Sequence, residues 1–82
     1  MSAYSLNKML REVNRDSGAR QRYFDNAEAF ASGFELSDAE RSAFLAYDIS
    51  ALYRFGAHGL ILRPFTLLQQ MPEPEYLRLI RE

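Results

Sequence analysis

The chain has no cysteine, no tryptophan, one histidine and only five β-branched residues: Val13, Ile49, Ile61, Thr66 and Ile80. Without cysteine there is neither a disulfide nor a thiolate metal site to reinforce a small core. A lone histidine cannot assemble the two histidines and carboxylate of a non-haem iron site, nor the three or four ligands that zinc requires. Scarce β-branched residues, and no stretch of alternating apolar and polar positions, argue against strands. No apolar run approaches eighteen residues, so a transmembrane helix is not expected. The charged-then-apolar order of a signal peptide is also missing at the start, which makes the cytoplasm the expected location. A formal net charge of −1 supplies no global field for nucleic acid or an anionic membrane.

What remains is a chain of 82 residues, 48% hydrophobic, with five tyrosines and six phenylalanines. That is enough for a core and too short for two, so residues 1–82 are read as one all-α domain of five to seven short helices. A domain this small buries only about 60–65% of its unfolded surface, and a partner that binds the folded form would add stability.

Helical spacing organises the sequence. Leu6, Met9, Leu10 and Val13 follow the i, i+3, i+4, i+7 rule and predict a helix over 5–14 with one buried stripe. Asp16, Ser17 and Gly18 break it. A second helix is expected over 19–25, burying Tyr23 and Phe24, and Asp25 or Asn26 caps a third that Gly33 ends. Ser37 and Glu40 have the spacing of a capping box and start a helix through about Tyr47, with Phe44 and Tyr47 inward. Asp48 caps the next, with Ile49, Leu52 and Tyr53 as its stripe and Gly56 as its end. Pro64 should kink or restart a sixth segment. Met71-Pro-Glu-Pro74 reads as a stiff extended connector before a last helix over 75–81, anchored by Tyr76, Leu77 and Ile80.

Few of these residues suggest chemistry. No nucleophile is marked out near His58, which reads as a turn residue hydrogen-bonded to backbone or as a contact across an interface, since its flanking glycines permit close approach. Glu28, Glu35, Asp38, Glu40 and Asp48 sit near predicted helix starts, where the helix dipole favours negative charge. Lys8, Arg11, Arg15, Arg20 and Arg22 read as a solvated face, with nucleic-acid binding as the sharper alternative. No catalytic and no metal-ligating residue is assigned. Leu60 to Leu68 holds more large apolar residues than one stripe buries, so part of it is expected to face another chain.

The opening Tyr4-Ser-Leu-Asn-Lys-Met-Leu10, the segment from Asn26 to Leu36, and the block from Asp48 through Ala57-His58-Gly59 to Phe65 resemble the small (alpha) subunit family of protocatechuate 4,5-dioxygenase, from about Tyr4 to Ile80. The resemblance implies a compact set of short helices without catalytic residues, and a large (beta) subunit holding iron(II). The small subunit would act as a lid on that subunit's active site, binding no cofactor itself. Ala57 and His58 would then lie at the pocket mouth, with Tyr53, Gly56, Gly59, Leu60, Leu62 and Phe65 at the subunit interface. A departure is the short stretch from Leu67 to Pro74, where longer small subunits carry a loop to the substrate pocket. This leaves protocatechuate itself open against a related catecholic or aminophenolic ring. The reading from a different class is a stand-alone helical interaction module, homodimeric through Leu60 to Leu68.

Overall fold

Polar side chains punctuate this chain and set where its helices begin. In a computed structural model, which describes residues 2–81 and side chains from residue 4 onward, there are seven: α1 (Ser2–Arg15), α2 (Ser17–Asp25), α3 (Ala27–Ala31), α4 (Asp38–Leu45), α5 (Ile49–Arg54), α6 (Gly59–Leu68) and α7 (Glu73–Arg81). The described residues form no strand. Asp16 accepts from the Gly18 amide at 2.9 Å, Asn26 from Ala29 at 3.1 Å and Asp48 from Ala51 at 3.1 Å. The capping box closes both ways: Ser37 Oγ accepts from the Glu40 amide at 3.1 Å, and Glu40 Oε1 accepts from the Ser37 amide at 2.8 Å. Each cap occupies amides that have no partner within their own helix.

Three helix ends share one closure. After α4, α5 and α6 a residue with positive φ turns the chain: Tyr47 at 56°, Gly56 at 106° and Gln70 at 60°. In each the following amide reaches back to a carbonyl five residues earlier, Asp48 to Ala43 at 2.8 Å, Ala57 to Leu52 at 3.0 Å and Met71 to Thr66 at 3.1 Å. This left-handed closure satisfies carbonyls that the helix leaves open.

The stripe of α1 is wholly buried and packs against α6, whose Leu62, Phe65 and Thr66 face inward. Phe44, Ile49 and Leu52 complete the centre. Tyr23 links it to α2, with its ring 5.2 Å from Phe44 and 5.6 Å from Phe65. The radius of gyration is 11.6 Å, against about 11.7 Å expected for a compact domain of this length.

Several local expectations need correction. Phe24 is 54% exposed, because it neighbours buried Tyr23 and adjacent positions on a helix point about 100° apart. Tyr53 is exposed rather than part of a buried stripe with Ile49 and Leu52. The chain does not restart at Pro64: α6 runs through it as one helix, with Asn14 Nδ2 donating to the Ile61 carbonyl at 2.9 Å in the turn before it. The segment at 71–74 is not an extended connector. Helix α7 already begins at Glu73, and Pro74 sits in its first turn, where the missing amide hydrogen costs no bond.

Candidate docking site at the Asn7–His58 junction

Gly56 carries the chain out of α5, and His58 starts α6. His58 Nδ1 accepts from the Leu60 amide at 3.1 Å, so the imidazole is a helix cap. A neutral ring whose Nδ1 accepts carries its hydrogen on Nε2. The imidazole is exposed. The turn is also held from the far end of the sequence. Asn7 Nδ2 donates to the Gly56 carbonyl at 3.0 Å, and Asn7 Oδ1 accepts from the His58 amide at 2.7 Å. One amide side chain thus fixes the turn against α1, which is itself anchored because Arg20 donates to the Val13 and Asn14 carbonyls at its end.

The residues expected at an interface divide sharply. Leu60 is 83% exposed and Tyr53 43% exposed, and Gly56 is open as well. Around Gly59 there is open space: a methyl built there meets nothing within 4 Å, so no neighbour within the chain requires glycine. Leu62 and Phe65 must be withdrawn from the expected surface. Both are completely buried in the chain's own core, where Phe65 stacks on Phe44 at 5.9 Å. The Ala57 methyl is buried too, leaving His58 as the one lid candidate with an accessible side chain.

Asn7 and the exposed Tyr4 and Phe55 belong to this surface; the sequence offers them only as members of the family-like segments, with no site role assigned. Asn7 is 49 residues from Gly56, and no local pattern signals a clamp over that distance. On the α1 side, Tyr4, Asn7, Lys8, Arg11 and Glu12 line a shallow depression of about 380 Å³. A separate groove of about 470 Å³, with Phe30 and Phe34 in its wall, lies between α1 and the α2–α3 pair and contains none of the expected site residues.

Elsewhere the polar chemistry is structural. Tyr47 has a buried hydroxyl without a hydrogen-bond partner, and burial, reinforced by Tyr23 and Glu75, pushes its pKa up to about 12 against the opposing Arg63. Burial also raises Tyr23, whose oxygen accepts from Gln69 Nε2 at 2.9 Å, and Tyr76, which lies 5.1 Å beneath the Arg63 guanidinium. Such tyrosines stay neutral at ordinary pH and offer no base. Among the described residues no three of His, Cys, Asp and Glu converge as a metal site requires, and no helix is long and apolar enough to cross a membrane.

The family model described as "Aromatic-ring-opening dioxygenase LigAB, LigA subunit" matches residues 6–76. No curated protein and no solved structure gives a significant match.

Proposed function

Because the chain belongs to the LigA-subunit family of aromatic-ring-opening LigAB dioxygenases, we propose that it is a non-catalytic small subunit that caps the active site of an iron(II)-bearing large subunit. The ring opened is catecholic or aminophenolic, cleaved in the extradiol manner, and the enzyme works in the cytoplasm. The family match over residues 6–76 carries this reading.

The described residues do not fit a resident iron: the single histidine has Nδ1 engaged by the Leu60 amide, and no carboxylate pair joins it. Bond cleavage is therefore assigned to the large subunit, and this chain contributes position and exclusion. A lid that seals a pocket removes water from around reactive species and narrows the poses open to a bound ring. His58 and Leu60 are the side chains at the turn with surface to offer such a pocket mouth.

Oxygen uptake tests the reading directly. The large subunit, the small chain and their mixture are each assayed with iron(II) and a panel of catechols and aminophenols. The mixture should turn over faster than the large subunit, and the small chain alone should consume no oxygen. Turnover by the small chain alone, or a large subunit indifferent to its addition, would sink the proposal. The exposed Leu60 and Leu67 favour the second reading, a homodimeric interaction module. Light scattering that shows a concentration-dependent homodimer, with no heteromer formed, would select it.

A further inference from the structure

The family match implies a partner subunit without saying where it binds, and the surface around Asn7 has a chemistry that narrows the choice. Asn7 borders the depression lined by Tyr4, Lys8 and Arg11, and it also clamps the turn that carries His58. The depression and the turn are therefore two halves of one face.

Its outward polar groups are mainly donors. Lys8 and Arg11 are exposed, and neither forms an ion pair among the described residues. His58 adds a third donor, because its Nδ1 is occupied by the Leu60 amide and its hydrogen lies on Nε2. The one carboxylate lining the depression is Glu12, which is partly buried. Tyr4, 71% exposed, and Leu60 supply apolar area beside the donors. A partner that complements this face presents carboxylate and carbonyl oxygens around an apolar contact, since opposed potentials steer association and fix register.

We propose that this face, with Lys8, Arg11 and the His58 Nε2–H as its donors and Tyr4 and Leu60 as its apolar contacts, docks on an acidic, acceptor-rich surface of the large dioxygenase subunit. The proposal rests on the small-subunit reading given above.

The test uses the heteromer formed with the co-expressed large subunit, with affinity measured at several salt concentrations. The double variant Lys8→Glu/Arg11→Glu should weaken assembly more than tenfold and flatten its salt dependence. The control Arg22→Glu/Arg81→Glu makes the same change in net charge at exposed positions off this face and should assemble like the unaltered chain. His58→Asn keeps a capping oxygen for the Leu60 amide but removes the Nε2 donor. It should leave the melting temperature of the isolated chain unchanged and weaken assembly about fivefold, the worth of one hydrogen bond.

Equal losses from the two charge-reversal pairs would overturn the proposal, as would normal assembly by Lys8→Glu/Arg11→Glu or by His58→Asn. Either result would leave the small-subunit reading standing. Failure of the unaltered chain to form any heteromer would remove that reading and this inference together. Salt-sensitive retention of a random-sequence DNA duplex, abolished by Lys8→Glu/Arg11→Glu, would assign the face to nucleic acid and overturn the proposal.

Discussion

Helices α4 and α5 end with the same hydrogen bond and put different residues at the bend. At Tyr47 a large side chain takes the left-handed conformation, and its ring lies 5.9 Å from Phe65. At Gly56 no side chain is present, and the bend faces solvent and the Asn7 amide. A non-glycine residue in this conformation costs about 1–2 kcal/mol, which packing against the core can offset. The chain thus accepts strain where a ring fills its interior and uses glycine where the bend is left open. Gln70 is the third case: left-handed and exposed, with no burial to offset its strain.

Four substitutions probe that contrast, in order of falling effect. Phe65→Ala removes the ring on which Tyr47 leans and leaves a cavity at the centre of the core. It should cost about 3–5 kcal/mol and melt the isolated chain, as circular dichroism would show. A folded Phe65→Ala chain would mean that the core is not built around this residue. Gly56→Ala forces a Cβ into the left-handed bend and should lose about 1–2 kcal/mol in urea denaturation. An unchanged midpoint would place the α5 bend in the same class as Tyr47. Gln70→Gly relieves strain without loss of a buried side chain. It should gain about 1 kcal/mol, or roughly 4–8 °C in melting temperature. Tyr47→Phe has the smallest effect at neutral pH, a gain of about 0.5 kcal/mol from deleting a buried, unpartnered hydroxyl.

The same Tyr47→Phe substitution changes the alkaline limb of stability. The folded state holds the Tyr47 proton more tightly than an unfolded chain, since its pKa rises from 10 to about 12. The associated stability is complete below pH 10 and drains away as pH climbs to 12. Tyr47→Phe should therefore lose less stability than the unaltered chain over that interval. Parallel curves would show that the hydroxyl is not shielded.

Local features of the fold were legible in the sequence because their partners lie within a turn or two. The α1 stripe and the Ser37–Glu40 capping box are of this kind. So is Gly56, since glycine is the usual residue at such a bend. Tyr47 and Gln70 gave no signal, because tyrosine and glutamine rarely adopt positive φ. The misreading of Leu62 and Phe65 has a different cause. Counting apolar residues from 60 to 68 measures density without assigning faces. The helix turns Leu62 and Phe65 inward while Leu60 and Leu67 remain outside. Prolines 72 and 74 suggest an extended connector, although a first helical turn accommodates proline. The proposed docking face was half visible, in His58 and Leu60. Its other half depends on Asn7, whose bonds span 49 and 51 residues.

That separation gives the Asn7 clamp a place in the order of folding. The caps at Asp16, Asn26, Ser37 and Asp48 join residues two or three apart, so they can form as soon as their own segments become helical. Closing a loop of about fifty residues carries a chain-length term near 3.5 kcal/mol, which only the docking of α1 on α6 can recover. The Asn7 bonds to the His58 turn therefore form only when the two ends of the chain have met. A truncated chain would keep the turn's local bonds, Ala57 to Leu52 and Leu60 to His58, but would lose its tie to α1. In effect, the clamp reports completion: only a chain whose two ends have met holds the turn against α1.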